Sequence, residues 1–392
     1  MINVSKLYCD LAGQSDDLRY YQPDSSGPVV VYNCTSRCNL ECLHCYSSSN
    51  LNKTDNELTT AQAKKLLSQI AQVNCPVILF SGGEPLLRRD LFELLAEAAH
   101  LSLRTVISTN GTLINSSAAG KLADAGVGYV GVSIDGTRDF HDRFRQANGS
   151  FDAALAGIEN CGAAGIRTGL RFTITNQNAG QIPAVFDIAA KNNIRRICFY
   201  HLIAVGRAQE MISCENAQNS ARYTLSPDET RRAIDVIIDE TAEFARRGLI
   251  DEVLTVDNHA DGPYLLLKMA VESHPGYDKA RRLLLAGGGN RIAEKIICIG
   301  WDGCVHPDQF WRNYSLGNIR DRSLKEIWED SSEPVLSMLR DKSGFADSRC
   351  LRCKWFDLCK GNFRFLADKT DYKSWRNEPP CYLTDEEIGY NK

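Results

Sequence analysis

The sequence predicts an α/β protein, a partial (β/α)6 barrel followed by a smaller, cysteine-rich C-terminal domain. Three observations predict this. Short apolar runs alternate with amphipathic stretches over residues 28–206, the 392 residues are enough for two domains, and many of the cysteines are grouped. Strands that are apolar on both faces and joined by helices form parallel sheets with right-handed crossovers. Six such units, curled up, give a partial barrel.

The predicted strands are short and rich in β-branched residues. They run from Pro28 to Asn33, Pro76 to Phe80, Arg104 to Ser108, Tyr129 to Ile134, Gly169 to Thr175 and Arg196 to His201. Helix starts are predicted after Thr60, after Asp90 with Glu93 completing a capping box, and after Ser150.

After Gly206 the alternation is expected to stop. Residues 207–295 are predicted to be a mostly helical bridging segment, and residues 296–392 a domain of short elements with one helix from about Ser323 to Leu339. Residues 1–27 form an N-terminal extension. The sequence thus predicts four parts.

Charge and hydropathy narrow the class of protein. The chain has 45 Lys+Arg against 49 Asp+Glu, a net charge of -4, so nucleic acid and anionic membranes are not expected as main partners. The N-terminus lacks a signal-peptide pattern, and no apolar run reaches the length of a membrane helix. These features predict a cytoplasmic protein.

The cysteines indicate metal rather than disulfides, because an odd count in a chain without a secretion signal does not fit a disulfide framework. Seven of the 15 fall into two groups. The first is Cys38, Cys42 and Cys45, and the second is Cys350, Cys353, Cys359 and Cys381. The other eight are expected to be mostly ordinary thiols: Cys9, Cys34, Cys75, Cys161, Cys198, Cys214, Cys298 and Cys304.

The first group, Cys38-Asn-Leu-Glu-Cys42-Leu-His-Cys45-Tyr46, follows the first predicted strand directly. Three thiolates on one loop can each bind one iron of a [4Fe-4S] cluster and leave the fourth iron open. The alternative is a zinc site completed by His44, although the C-x3-C-x2-C spacing matches zinc ribbons poorly.

This motif resembles the signature of the radical S-adenosylmethionine (SAM) enzymes, in which the open iron binds the amino and carboxylate groups of SAM. Further strand ends resemble the SAM contacts of that family, although each alone could be a simple turn. The resemblance implies that SAM is contacted by Tyr46, Gly82, Gly83, Glu84, Ser108, Asn110, Ser133, Asp135 and Arg145. Four ordered motifs at successive strand ends are hard to explain as coincidence.

The second cysteine group resembles the SPASM, or twitch-like, region that carries auxiliary [4Fe-4S] clusters in a subgroup of radical SAM enzymes. Four thiolates would close one such cluster, and a zinc site with four sulfur ligands is the alternative. Asp308 and Phe363 stand where that region commonly has cysteines, and Cys298 and Cys304 remain possible ligands. One auxiliary cluster is therefore expected.

Segments across nearly the whole chain resemble radical SAM enzymes of the siroheme-dependent haem pathways, including the didecarboxysiroheme deacetylases. They include FYHLIAVGR at 199–207 and TVDNHADGPY at 255–264. This resemblance implies removal of the two acetate side chains of 12,18-didecarboxysiroheme to give Fe-coproporphyrin III, with flavodoxin or ferredoxin as external electron donor. It also leaves open the haem d1 relatives and Fe-coproporphyrin III oxidative decarboxylase.

A tetrapyrrole is an apolar disc edged by carboxylates, so its pocket should combine apolar walls with cations. Candidate substrate contacts are Arg171, His201, Arg207 and His259, each of which could equally be structural. Two other functions stay open. One is a SPASM maturase of a peptide or protein, which the short segment of about 27 residues before the first strand makes less favoured. The other is a non-catalytic iron-sulfur or zinc protein, which would not need the SAM motifs.

Overall fold

The computed structural model describes residues 1–12, 16–20, 26–52, 56–209, 223–342, 349–362 and 381–390. Within them, eleven strands form one sheet. The strands are β1 Ile2–Asn3, β2 Val29–Thr35, β3 Ile78–Gly82, β4 Thr105–Thr109, β5 Tyr129–Ser133, β6 Thr168–Ile174, β7 Arg196–His201, β8 Glu252–Val256, β9 Ile296–Ile299, β10 Cys304–His306 and β11 Gly317–Asn318.

The described helices alternate with the strands through the first half of the chain. They are α1 Val4–Cys9, α2 Asp16–Tyr20, α3 Thr60–Gln72, α4 Leu91–His100, α5 Ser116–Asp124, α6 Arg138–Arg145, α7 Ser150–Ala163, α8 Ile182–Lys191, α9 Pro227–Arg246, α10 Asp261–Val271, α11 Tyr277–Gly287, α12 Leu324–Trp328, α13 Pro334–Arg340, α14 Phe356–Cys359 and α15 Asp385–Ile388. None of the helices in these parts of the chain is both long enough and apolar enough to cross a bilayer.

The predicted barrel is confirmed. Strands β2 to β7 lie side by side in chain order, and each pairs in parallel with the next. Apolar side chains of the strands and of their connecting helices form one continuous core, in which Ile78, Leu94 and Phe186 are fully buried. The carboxyl ends of all six strands therefore meet at one end of the barrel, where barrel enzymes assemble their sites.

The alternation does not stop after Gly206, and that expectation is wrong. A seventh parallel strand, β8, pairs with β7, and β1 closes this edge of the sheet in antiparallel orientation. All five residues of β8 are buried. A run this short cannot be distinguished from a helical turn by its periodicity, and it lies between two helices, α9 and α10.

The C-terminal domain continues the same sheet at its other edge. Strand β9 pairs in parallel with β2, and β10 and β11 follow in antiparallel order. The cysteine-rich domain is thus joined to the barrel by main-chain hydrogen bonds beside the strand that precedes the first cysteine group. The division of the chain into four parts stays a prediction.

Four local expectations were wrong. Asp90 makes no capping bond, because its carboxylate accepts hydrogen bonds from Arg88, with Nε to Oδ1 at 2.8 Å. The cap of α3 is Thr59 rather than Thr60, and Ser150 is the first residue of α7. The single helix expected near 323–339 is two helices, α12 and α13, because Pro334 can begin a helix but not continue one.

Candidate active site

A cavity of about 150 Å³ opens at the carboxyl ends of the parallel strands. Its wall includes the loop after β2 and the ends of β3 to β7. The predicted site residues that line it are Cys38, Cys42, Cys45, Tyr46, Gly82, Gly83, Ser108, Asn110, Ser133, Arg145, Arg171 and His201. The structure thus brings together most of the site residues that the sequence motifs predicted.

The loop after β2 carries the three cysteines and is fixed by main-chain hydrogen bonds. The N–H of Cys38 donates to the carbonyl of Asn50 at 3.1 Å. The N–H of Arg207, from the segment after β7, donates to the carbonyl of Cys45 at 3.0 Å. Both ends of the loop are therefore held to neighbouring segments.

Two glycines let the end of β3 approach this loop closely. A Cβ at Gly83 would lie 2.1 Å from the carbonyl oxygen of Arg37, and one at Gly82 would lie 2.5 Å from that of Thr35. Gly82 also has a φ of +121°, which side-chain-bearing residues rarely adopt. The two glycines are therefore required by the backbone as well as by the motif.

Polar groups approach the thiol sulfur atoms. Nη1 of Arg145 lies 3.7 Å from Sγ of Cys42, and Oγ of Ser47 lies 3.3 Å from Sγ of Cys45. Burial raises the pKa of Cys38 to about 12 and that of Cys42 to about 11. A metal centre would supply the positive charge that these thiols need in order to ionise.

Three thiols on one loop match the ligand set of a [4Fe-4S] cluster with one open iron. Zinc needs its ligands around one point, whereas each thiolate of a [4Fe-4S] cluster binds a different iron.

Glu84 and Asp135 do not line the cavity directly, and their role as SAM contacts stays a prediction. Glu84 is fully buried and its carboxylate accepts bonds from the Thr109 hydroxyl at 2.7 Å and the Asn110 N–H at 2.8 Å. Burial raises its pKa despite these bonds. Asp135 forms an ion pair with Arg145, with Nη2 to Oδ2 at 2.6 Å. Both carboxylates instead hold cavity-lining residues in position.

Of the predicted substrate residues, Arg171 and His201 line the cavity. The guanidinium of Arg171 lies over the ring of Tyr200, 4.5 Å from its centroid. Gly131 makes room for this arginine, because a Cβ there would lie 2.8 Å from its Cδ. The barrel wall therefore presents a cation and an aromatic ring side by side.

Arg207 and His259 do not line the barrel cavity. Arg207 donates to the carbonyl of Cys42 at 2.8 Å and to that of Ser49 at 2.8 Å, so it stabilises the cysteine loop instead of lining the cavity. The N–H of His259 donates to Oδ1 of Asn362 at 3.2 Å, and Asn362 lines a second cavity, the auxiliary cavity around the second cysteine group. A lone arginine or histidine in a sequence does not reveal which way it faces.

The second cysteine group forms a separate cavity lined by Cys350, Cys353, Cys359 and Cys381. Burial and the three neighbouring sulfur atoms raise the pKa of Cys359 well above its usual value. The glycine-rich segment after α11 packs here, because a Cβ at Gly289 would lie 2.5 Å from the carbonyl oxygen of Cys359. The structure thus brings the four cysteines to one cavity.

The remaining possible ligands lie elsewhere. Cys298 accepts a bond from Asn33 at 3.5 Å, Cys304 accepts one from Asn318 at 3.4 Å, and neither lines the auxiliary cavity. Asp308 accepts bonds from the N–H groups of Phe310 and Trp311 at 2.7 and 2.9 Å. Phe363 and Cys214 lie outside the described residues.

One segment, residues 257–263 and called here the wall, contributes residues to both cavities. Asp257 lines the barrel cavity, whereas Ala260 and Pro263 line the auxiliary one. Within the wall, Asp261 accepts a bond from Tyr382, the neighbour of Cys381, at 2.8 Å and lies 2.9 Å from Nε2 of His201. Burial disfavours the charged ring of His201, but the Asp261 carboxylate outweighs it, so the pKa of His201 is raised.

Sequence reasoning missed several residues that line the barrel cavity, among them Thr173, Tyr200, Asp257 and Gln309. Asp257 could have been found only by recognising β8 as a strand, since it follows that strand directly. Gln309 comes from the C-terminal domain, and no local pattern indicates that this segment reaches the barrel.

Comparison with known proteins agrees with this geometry. Residues 32–189 match the Radical SAM superfamily, and residues 291–354 match SPASM, an iron-sulfur cluster-binding domain. The chain is 46% identical to Fe-coproporphyrin III synthase of Methanosarcina barkeri, covering 100% of this chain and 99% of the relative. It is 38% identical to pre-heme d1 synthase of Dinoroseobacter shibae, covering 92% and 88%.

A solved structure, Streptococcus suis SuiB bound to S-adenosylmethionine, matches with a TM-score of 0.70 at 18% identity, covering 92% of this chain and 78% of that chain. This likeness concerns the fold. Together with the family matches and the full-length relative, it confirms the predicted architecture and its cofactors. The chain belongs to the radical SAM superfamily of enzymes, which use a [4Fe-4S] cluster and SAM, and it carries a C-terminal SPASM iron-sulfur domain.

Proposed function

We propose that this enzyme removes the two acetate side chains of 12,18-didecarboxysiroheme to give Fe-coproporphyrin III. The observation that carries this proposal is the 46% identity to Fe-coproporphyrin III synthase, which extends over 100% of this chain and 99% of the relative. The barrel cavity supports it with aromatic rings and a cation beside the cysteine loop.

Cys38, Cys42 and Cys45 would hold the SAM cluster, and Cys350, Cys353, Cys359 and Cys381 one auxiliary [4Fe-4S] cluster. A cluster held there would supply the electron that cleaves SAM to methionine and a 5'-deoxyadenosyl radical, and that radical would take a hydrogen atom from the substrate. The SAM contacts would be the cavity-lining residues Tyr46, Gly82, Gly83, Ser108, Asn110, Ser133 and Arg145. Glu84 and Asp135 would hold cavity-lining residues in position through hydrogen bonds and an ion pair.

The substrate would lie against the part of the cavity wall that Arg171, Tyr200 and Phe310 form. Arg171 offers a guanidinium to a side-chain carboxylate, and the rings of Tyr200 and Phe310 offer apolar contact to the macrocycle. His201 lies in the same wall and would also face the substrate.

We further propose that flavodoxin or ferredoxin supplies the electrons and that the enzyme works in the cytoplasm. Radical chemistry of this kind needs a low-potential one-electron donor and the exclusion of oxygen.

The test is anaerobic reconstitution with iron and sulfide, followed by incubation with SAM, reductant and 12,18-didecarboxysiroheme. We expect Fe-coproporphyrin III and acetate to form together with 5'-deoxyadenosine. Parallel incubations contain Fe-coproporphyrin III or a peptide. Consumption of Fe-coproporphyrin III would favour oxidative decarboxylation instead, and 5'-deoxyadenosine formed only with a peptide would overturn the haem assignment.

A further inference from the structure

Asp257 is the one carboxylic acid among the described residues that line the barrel cavity. It follows directly after β8, the strand that the sequence did not reveal. Because β8 runs parallel to β7 with Val256 opposite Tyr200, Asp257 lies next to His201 at the carboxyl edge of the sheet. This edge is where barrel enzymes place their catalytic groups.

The backbone at Asp257 is held in an uncommon conformation. Its φ is +71°, in the left-handed region, which few residues other than glycine occupy, although Asp and Asn do so more often than most. Such conformations persist only when the surrounding structure imposes them, and they concentrate at functional sites.

The other buried carboxylates around the cavity are engaged in structural bonds. Glu84 accepts bonds from the end of β4, and Asp135 is paired with an arginine. Asp261 bonds to a histidine and a tyrosine, and Asp308 caps its own turn. Asp257 differs from all four because it borders the cavity itself.

Charged groups from several elements act on the Asp257 carboxylate. Burial is the largest influence and disfavours the ionised form, and Asp308 adds to it. The Met1 amino group, His201 on β7 and Arg171 on β6 oppose it. Burial prevails and raises the pKa of Asp257 to about 7. A carboxyl group with this pKa can both hold and release a proton near neutral pH.

The proposed reaction needs such a proton. After a hydrogen atom has been abstracted, the macrocycle radical can form a C=C bond as the bond to the CH2–COO⁻ side chain breaks, which releases a carboxymethyl radical. To become acetate, that radical must gain one electron and one proton. The electron can come from a reduced iron-sulfur cluster supplied by the external one-electron donor.

We propose that Asp257 is the proton donor to the departing acetate: its carboxyl group gives the proton, becomes a carboxylate, and is reprotonated from solvent before the second side chain leaves. This inference rests on the proposed function. It assigns a catalytic role to a residue that the SAM motifs do not include.

The test compares the reconstituted enzyme with Asp257→Asn, which keeps the side-chain shape and tolerates a positive φ. Asp251→Asn is the matched control, since Asp251 lies just before the opposite end of β8 and pairs with Arg195 at the surface. The measured quantity is acetate released per 5'-deoxyadenosine, in D2O and across neutral pH.

For the unaltered enzyme and Asp251→Asn, we expect one solvent deuterium in each acetate. We also expect the ratio of acetate to 5'-deoxyadenosine to fall as the pH rises through about 7, because the protonated form of Asp257 is the donor. In Asp257→Asn, 5'-deoxyadenosine should still form, but the ratio should drop by about a hundredfold and lose this pH dependence. Acetate without solvent deuterium, or an unchanged ratio in Asp257→Asn, would overturn the proposal.

A second readout does not depend on activity. The raised pKa of Asp257 means that the folded state binds its proton more tightly than the unfolded state does, so folding stability is lost as the pH rises from about 4 to about 7. Thermal unfolding of the full chain should therefore show Asp257→Asn gaining stability relative to the unaltered enzyme over that pH range. Equal pH dependence in both would contradict the proposal. No acetate from the unaltered enzyme at any pH would instead refute the proposed function.

Discussion

The two cysteine sites are built in different ways. The site in the barrel cavity draws its three thiols from one short loop, and neighbouring strand ends hold that loop in place. The auxiliary site gathers four thiols from two separate segments of a domain with few regular elements. As proposed cluster ligands the two sets would differ in function, because three thiolates leave one iron of a cluster open for SAM, whereas four leave none.

Loss of a thiol from the barrel cavity should have the largest effect. Cys42→Ala removes a ligand of the SAM cluster, so we expect no 5'-deoxyadenosine above background in an anaerobic assay with SAM and dithionite. Cys9→Ala is the control, because Cys9 ends α1 and lies outside both cavities. SAM cleavage by Cys42→Ala would contradict the assignment.

Removal of one thiol from the auxiliary site should distinguish the roles of the two cysteine sites. We expect Cys353→Ala to lose about four irons per chain and still cleave SAM, because the barrel cavity is unaltered. Iron and sulfide analysis measures this, and Cys304→Ala is the control. An unchanged iron content with one zinc per chain would show that the second site is not a cluster.

A smaller effect is expected at the substrate wall of the barrel cavity. Arg171→Gln removes the guanidinium that would bind a substrate carboxylate, so we expect KM for the tetrapyrrole to rise by roughly ten- to a hundredfold. SAM cleavage without substrate should not change. Arg167→Gln, just before the other end of β6, is the control. An unchanged KM would remove Arg171 from the substrate site.

The smallest expected effect concerns the wall, which contributes residues to both cavities. Asp261→Asn removes the charge that raises the pKa of His201, so that pKa should fall. The stability that the protonated histidine contributes, which is lost as the pH rises through its folded pKa, should then disappear at a lower pH. NMR titration of labelled histidine measures the change, with Asp235→Asn as control. A His201 pKa that did not move would show that the contact at 2.9 Å carries no charge coupling.

The same contrast explains what the sequence could predict. Apolar runs and turn motifs placed β2 to β7 within a few residues, and residues at or just after the ends of those strands, such as Ser108 and Asn110, therefore came together at one cavity. Strand β8 was missed because five buried residues carry no periodicity, and Asp257 was missed with it. The orientation of some side chains depends on partners that are distant in the sequence, so only the structure shows that orientation. These side chains are Glu84, Asp135, Arg207 and His259.

The most direct measurement is EPR spectroscopy of the reduced enzyme before and after addition of SAM. Three thiolates in one site and four in the other predict two overlapping [4Fe-4S] signals, of which one shifts when SAM binds the open iron. Cys353→Ala should keep the signal that shifts and lose the other, and Cys42→Ala should do the reverse. A SAM-dependent shift that persists in Cys42→Ala, or that disappears in Cys353→Ala, would contradict the division of roles between the two sites.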